Sequence, residues 1–292
     1  PATDATELDA PDRVDLTARP ANERITVGME DARNADLNIV NIESIEANPD
    51  ANVDDEGHRL IAPPEGTYQW TITGTNIGRV HPEGDERADN TLVFNGFAFL
   101  TGSENNVFAF EGGNLTGGVT GGSGSNFLDY SSSEDDICFS MIGAVAGCDG
   151  MSIEGINGII GNHTGADAPN ATLRAVGNGN YTWSIRKLNE LEGSDGVNDG
   201  IFDHGGEKEI RFVNFNHLVG GGGNDRFNFV DNGEITGSVD GGGVSSNGRN
   251  VVDTTGSDYG FAFWQTQPAS EVAGGSTLWM NNIGRGTTNA AH

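Results

Sequence analysis

The segment "SDGVNDGIFD", from Ser194 to Asp203, spaces oxygen-bearing side chains around glycines. The carboxylate and amide oxygens belong to Asp195, Asn198, Asp199 and Asp203. Calcium takes several oxygen ligands, and protein loops supply them at this kind of spacing. The segment therefore predicts a calcium site, although it lacks the bidentate glutamate that completes an EF-hand loop. The alternative is a polar insertion loop that binds no metal.

A second candidate for calcium is Asp225, which follows four consecutive glycines in "GGGGNDRFN". The carbonyl groups of a glycine-rich turn and the hard oxygen of a carboxylate suit the same ion. A related segment earlier in the chain, "TGSENNVFA", has Asn106 at the corresponding position. A solvent-exposed turn without metal is the alternative for Asp225.

Catalytic motifs are weak in this chain. It contains no Gly-x-Ser-x-Gly, no His-Glu-x-x-His and no phosphate-binding loop. His217 lies in a strand-like segment, where we expect a ladder or surface histidine. The acidic runs 54–56 and 134–136 lie in apparent loops, where solvated charge is the ordinary expectation. We predict a non-enzymatic protein. A carbohydrate-active or carbohydrate-binding β-helix, with acids clustered along one face, stays open as an alternative.

The charge of the chain is strongly negative, with 43 acidic and 15 basic residues and a net charge of −28. Binding of nucleic acid or of an anionic membrane requires Lys and Arg, so this surface excludes both kinds of partner. Such a surface attracts cations, and salt screens its self-repulsion, as in proteins adapted to high salt. The sequence has no apolar run long enough to span a membrane. It begins at Pro1, which indicates a processed product or an excised piece.

The two cysteines, Cys138 and Cys148, lie ten residues apart. No second cysteine pair or histidine pair accompanies them, so a zinc site is not expected. In an oxidising compartment they would form a short-loop disulfide. The alternative is two small buried apolar side chains.

Two copies of one unit are visible in the sequence. "YQWTI" near Trp70 matches "YTWSI" near Trp183, and "NVFAF" near Phe108 matches "RFNF" near Phe227. We predict an acidic linker or N-terminal cap followed by two repeats and the start of a truncated third. Their boundaries are 1–36, 37–150, 151–277 and 278–292.

Short apolar runs bounded by glycine or asparagine recur throughout both copies. Several of these runs alternate with period two, which is the signature of strands. We therefore predict an all-β protein. A string of β-sandwiches would also provide many short strands. Glycine-rich turns after strands of three to five residues favour a right-handed parallel β-helix, or β-solenoid, with glycines at the corners at positive φ. We expect the isolated aromatic residues to form its buried core: Trp70, Phe97, Phe108, Phe110, Trp183, Phe215, Phe227 and Phe229.

The segment "GGGGNDRFN" resembles the nine-residue repeat of the RTX family, in which stacked nonapeptides bind calcium between turns. The wider pattern, with "ITGSVDGGG" after Phe-rich strands, is similar to the repeat regions of very large secreted bacterial surface proteins and adhesins. The resemblance implies a location that is extracellular or at the cell surface, with calcium as the cofactor. It also implies a structural or adhesive role, with neighbouring repeats or identical subunits, and surface glycans, as partners. The alternative for assembly is a self-assembling extracellular fibre subunit.

Overall fold

The structure is a computed structural model that contains strands and no helix in the residues it describes. The all-β prediction is therefore confirmed. Backbone and side chains are described for residues 44–46, 59–62, 65–84, 91–140, 151–164, 167–175, 177–188, 194, 196–203, 209–242 and 250–256. The backbone alone is described for residues 13–17, 26–30, 36–40, 149–150, 265–266, 279–281 and 285–287.

The chain divides into two compact units. The first unit contains Pro1–Ser132 and Met151–Ile156, and the second contains Ser133–Gly150 and Asn157–His292. The strands of the first unit are β1 (Arg13–Thr17), β2 (Thr26–Glu30), β3 (Asp36–Val40), β4 (Ser44–Glu46), β5 (Arg59–Ile61), β6 (Thr67–Gly74), β7 (Ile77–Pro82), β8 (Leu92–Asn95), β9 (Phe99–Thr101), β10 (Asn105–Phe110), β11 (Gly118–Thr120), β12 (Asn126–Asp129) and β15 (Ser152–Glu154).

The strands of the second unit are also short. They are β13 (Ile137–Ser140), β14 (Asp149–Gly150), β16 (Gly158–Ile160), β17 (Ala171–Arg174), β18 (Thr182–Ile185), β19 (Gly200–Asp203), β20 (Ile210–Val213), β21 (His217–Val219), β22 (Arg226–Val230), β23 (Ser238–Asp240), β24 (Val251–Gly256), β25 (Gln265–Thr266), β26 (Trp279–Asn281) and β27 (Arg285–Thr287).

Most strand pairs within each unit are parallel and join segments that are distant in sequence. In the first unit, one run of paired strands is β15-β11-β9-β5-β1-β2-β3 and the other is β12-β10-β6-β7-β8-β4. In the second unit, the runs are β14-β13-β17-β21-β23-β26-β25 and β27-β24-β22-β18-β19-β20-β16. Strands that pair antiparallel with both neighbours are β2 and β7 in the first unit and β19 in the second.

The aromatic core has the same geometry in both units. Trp70 stacks on Phe108 with ring centroids 5.6 Å apart, and Trp183 stacks on Phe227 at the same 5.6 Å. Every aromatic residue that we expected in the core is at most 5% exposed, so that prediction is confirmed. The strand register explains the stacking, because Trp70 pairs with Phe108 and Trp183 with Phe227 on adjacent parallel strands.

The expected positive φ occurs at eight described glycines, but the glycine-rich segment around Asp225 requires a correction. Among the described glycines between residues 218 and 242, only Gly242 has a positive φ, at 70°. Several others are needed because neighbouring backbone or side-chain atoms come very close. A Cβ at Gly223 would lie 2.0 Å from the carbonyl oxygen of Gly179, and a Cβ at Gly233 would lie 2.1 Å from that of Ile185. Close approach of chains, more than backbone conformation, therefore selects glycine here.

Cys138 lies in β13 and is disulfide-bonded. The sequence has one other cysteine, Cys148, which lies outside the described residues. Of the two alternatives raised by the sequence, the structure has the disulfide.

Candidate functional site

Asn198, a predicted calcium ligand, has both side-chain atoms occupied by a hydrogen-bonded clamp to Thr236. Its Oδ1 accepts from the backbone N of Thr236 at 2.7 Å, and its Nδ2 donates to Thr236 Oγ1 at 3.0 Å. The residue is 3% exposed and has a φ of 61°. Asparagine tolerates this left-handed conformation better than most residues. The clamp gives Asn198 a structural role that does not need a metal.

The same clamp occurs in the first unit between Asn76 and Thr116. Asn76 has a φ of 58°, accepts from Thr116 N at 2.9 Å and donates to Thr116 Oγ1 at 2.9 Å. The structure thus makes Asn198 equivalent to Asn76.

The remaining residues of the predicted calcium loop are only partly brought together. Asp199 is 1% exposed; its Oδ2 accepts from Ser194 Oγ, and its Oδ1 accepts from the backbone N of Asn214 at 3.3 Å. Asp203 is half-buried at the end of β19, and Asp195 lies outside the described residues. Within the part of the chain that the structure describes, no group of three or more His, Cys, Asp or Glu side chains could hold a metal ion.

Asp225 is not on an exposed turn, because it is 1% exposed. Its Oδ1 accepts from the backbone N of Tyr181 at 3.0 Å, and its own backbone N donates to Asn250 Oδ1 at 2.8 Å. No donor in the described ranges of the chain reaches its buried Oδ2 with hydrogen-bond geometry. Burial raises the pKa of Asp225 from 3.8 to about 6, against the opposing effect of nearby N–H groups of Tyr181 and Gly221.

In the first unit, the position equivalent to Asp225 holds an amide side chain, that of Asn106. There, Trp70 Nε1 donates to Asn106 Oδ1 at 3.1 Å, and Asn106 Nδ2 donates to Asn126 Oδ1 at 2.7 Å. In the second unit the equivalent indole N–H, on Trp183, is buried without a hydrogen-bond partner among the described residues. An amide at the position of Asp225 would therefore complete more hydrogen bonds than the carboxylate does.

An acidic depression in the second unit brings together residues that the sequence had left in separate loops. It has a volume of about 740 Å³ and is lined by Glu134, Asp135, Asp136, Asp167, Ala168 and Pro169. The run 134–136 was noted from the sequence, but Asp167 was not. No periodic signal connects it to that run, because 30 residues separate the two segments. The depression gathers negative charge and would favour a cation or a polyhydroxylated ligand.

A row of polar side chains begins at this depression and crosses three parallel strands. Asp136 Oδ1 accepts from the backbone N of Asn170 at 2.7 Å, and Asn170 Oδ1 is 3.2 Å from His217 Nε2. His217 Nδ1 is 2.7 Å from Ser238 Oγ. The register of β17, β21 and β23 places Thr172, His217 and Ser238 side by side. His217 is thus a ladder histidine, as expected from the sequence, but one with a polar partner on each ring nitrogen.

Burial lowers the pKa of His217, and the neighbouring His163 lowers it further, while Asp136 acts in the opposite direction. The imidazole is therefore neutral at neutral pH. His163 itself is buried, and its Nδ1 is 2.9 Å from the carbonyl oxygen of Pro169, a residue that lines the depression.

No helix among the described residues is long and apolar enough to cross a membrane. Comparison of the chain with protein-family models, with curated proteins and with solved structures finds no match.

Proposed function

We propose that this chain is a structural or adhesive segment of a secreted bacterial surface protein or extracellular filament, built as a right-handed parallel β-solenoid of two tandem repeats. The observation that carries the proposal is the in-register parallel pairing of successive segments around an aromatic interior. β6 pairs with β10, and β10 pairs with β12, and each pairing is in register over at least four residues. A right-handed course follows the general preference of parallel crossover connections.

The Asn–Thr clamps support a structural role. Each clamp fixes two segments that lie 40 or 38 residues apart in sequence, Asn76 with Thr116 and Asn198 with Thr236. The bonds therefore reinforce the stacking of successive turns at the points where strands end. Side-chain bridges of this kind stabilise a stack without giving it a chemical activity.

Solution scattering from tandem proteins tests the proposal. Proteins with one, two and three head-to-tail copies of residues 37–277 should lengthen in proportion to copy number, by about 4.8 Å for each added turn of the solenoid. A maximum dimension that grows only as the cube root of mass would identify a compact globular fold and refute the solenoid.

An extracellular location agrees with the disulfide at Cys138, because disulfides persist in oxidising compartments. It also agrees with the net charge of −28, which keeps a surface protein soluble. Calcium at the loop of Asp195, Asn198, Asp199 and Asp203, and at Asp225, belongs to this proposal. The ion would have to displace hydrogen bonds that Asn198 and Asp225 already make.

One observation favours a second candidate function, binding of carbohydrate or chemistry on it. The acidic depression places Asp136 and Asp167 in one cavity, and carboxylates gathered in a groove are typical of proteins that act on glycans. A glycan array probed with the wild-type chain and with the double variant Asp136→Asn, Asp167→Asn tests this candidate. Binding that both proteins share, or no binding at all, would rule out the depression as a glycan site.

A further inference from the structure

The two units share their aromatic stacking but differ at an outer position of their sheets. In the first unit, Phe99 pairs with Gly118 on the adjacent strand. In the second unit, His217 pairs with Ser238 at the equivalent place. The surrounding cores are alike, since Leu100 and Leu218, the next residues on these strands, are both fully buried. The polar pair is therefore not needed for the architecture, which the first unit achieves without it.

The hydrogen bonds around His217 fix the position of its proton. The backbone N–H of Ala171 donates to Asn216 Oδ1 at 2.9 Å, so the other amide atom of Asn216 is its nitrogen. That nitrogen donates to Asn170 Oδ1 at 3.1 Å, so the atom of Asn170 that faces His217 is an oxygen. This assignment also lets Asn170 Nδ2 face the carboxylate of Asp136, at 3.4 Å.

An amide oxygen only accepts hydrogen bonds, so His217 Nε2 must carry the proton and donate it to Asn170. In the neutral imidazole, Nδ1 then has a lone pair, and the hydroxyl of Ser238 must be the donor in the 2.7 Å contact. This arrangement of hydroxyl, imidazole and orienting side chain is the one that activates a serine for nucleophilic attack.

The backbone brings the two strands close enough for this contact. The N–H of Ser238 donates to the carbonyl oxygen of Asn216 at 3.0 Å. A Cβ at Gly237 would lie 2.2 Å from that carbonyl oxygen and 2.8 Å from the ring of His217, so the residue before Ser238 has to be glycine. Ser238 is half-buried and Asn170 is exposed, so a ligand in solvent has access to this row.

We propose that Ser238 is a reactive serine that hydrolyses acyl esters. His217 activates its hydroxyl group, and Asn170 orients the imidazole of His217. Ser238 Oγ attacks the acyl carbon as its proton moves to His217 Nδ1. The alcohol leaves with that proton, and the acyl group stays bonded to Ser238. Water then attacks the acyl-serine and gives a proton to His217 Nδ1. Ser238 Oγ leaves, recovers that proton, and the carboxylic acid is released, so water is the sole co-reactant.

Covalent labelling with diisopropyl fluorophosphate tests the proposal on the whole chain. Ser152 is a matched control inside the same molecule, because it is exposed and pairs with Gly118 on the outer face of the first unit, with no histidine beside it. Peptide mapping by mass spectrometry should find the label on Ser238 and not on Ser152. Labelling of Ser238 at the rate of Ser152 would overturn the proposal without the need for any variant.

His217→Phe adds a second test, since phenylalanine occupies the same place in the first unit. Loss of the general base should lower the labelling rate of Ser238 by at least about 100-fold. Circular dichroism should be unchanged. Asn170→Ala should shift the pH midpoint of labelling, because the partner of Nε2 is lost while the neighbouring His163 and Asp136 remain. An unchanged rate in folded His217→Phe would show that Ser238 is a ladder residue without special reactivity.

Discussion

Replacing Asp225 with asparagine should stabilise the protein at neutral pH. The substitution gives the second unit the amide that Asn106 provides in the first, where Asn106 Nδ2 donates to Asn126. Burial raises the pKa of Asp225 from 3.8 to about 6, which corresponds to about 3 kcal/mol of unfavourable charge burial at pH 7. Local relaxation toward water lowers that cost, so we expect a gain of about 1–3 kcal/mol in the free energy of unfolding.

The pH dependence gives the sign of this effect. Between pH 3.8 and about 6 the folded protein holds a proton on Asp225 that the unfolded chain has released. The stability that this group contributes is therefore fully present below pH 3.8 and is lost as the pH rises through about 6. Wild type and Asp225→Asn should be equally stable near pH 4 and should separate progressively up to pH 7.

Urea unfolding followed by tryptophan fluorescence, in the presence of a chelator, measures this difference. Asn106→Asp is the reciprocal control: it should destabilise the first unit at pH 7 and introduce the same pH dependence there. The reasoning is refuted if Asp225→Asn is no more stable than wild type at pH 7, or if the two proteins differ by the same amount at every pH.

Three further substitutions, and a calcium titration that includes a fourth, each test a different part of the structure. Phe227→Ala should lower the free energy of unfolding by about 3–5 kcal/mol in urea titrations, because it removes the ring that stacks on Trp183. Gly122→Ala should prevent folding as judged by circular dichroism, since its Cβ would lie 0.7 Å from a backbone oxygen, whereas Gly74→Ala, with no atom nearer than 3.5 Å, should fold normally. Millimolar calcium should raise the Tm more than sodium of equal ionic strength, and Asp199→Ala should reduce that gain; equal stabilisation by both ions would indicate screening alone.

Much of the fold was predictable because strand interiors have a local signal. The alternation in "NVFAF" and "RFNF" identified the strands β10 and β22, and their inward rings proved to be buried. The importance of the glycines between strands was also recognised. The predicted cause, a positive φ, was only partly right. The distance from Gly223 to the carbonyl of Gly179 depends on how two turns stack, and a sequence pattern does not report that distance.

The polar row was not predictable for a related reason. Asp136, Asn170, His217 and Ser238 lie 21 to 47 residues apart, and turns of unequal length separate them. They become neighbours only when the strand register is known. Asn198 depends on the fold in the same way: its local spacing suggested a metal ligand, and its hydrogen-bond partner, Thr236, lies 38 residues away. A local pattern can therefore suggest a ligand that a distant residue already occupies.

The short sequence separation between β10 and β12 has a consequence for how this part of the chain acquires its structure. β10 and β12 pair through residues 20 apart, such as Asn106 with Asn126, so the loop that must close to form this pair is short. A formed pair of strands exposes an edge on which a further strand can pair. Strands joined by short loops can therefore pair one after another, because closing a short loop loses little entropy. A chain that emerges end first can therefore form such pairs progressively, with each completed pair serving as the template for the next strand.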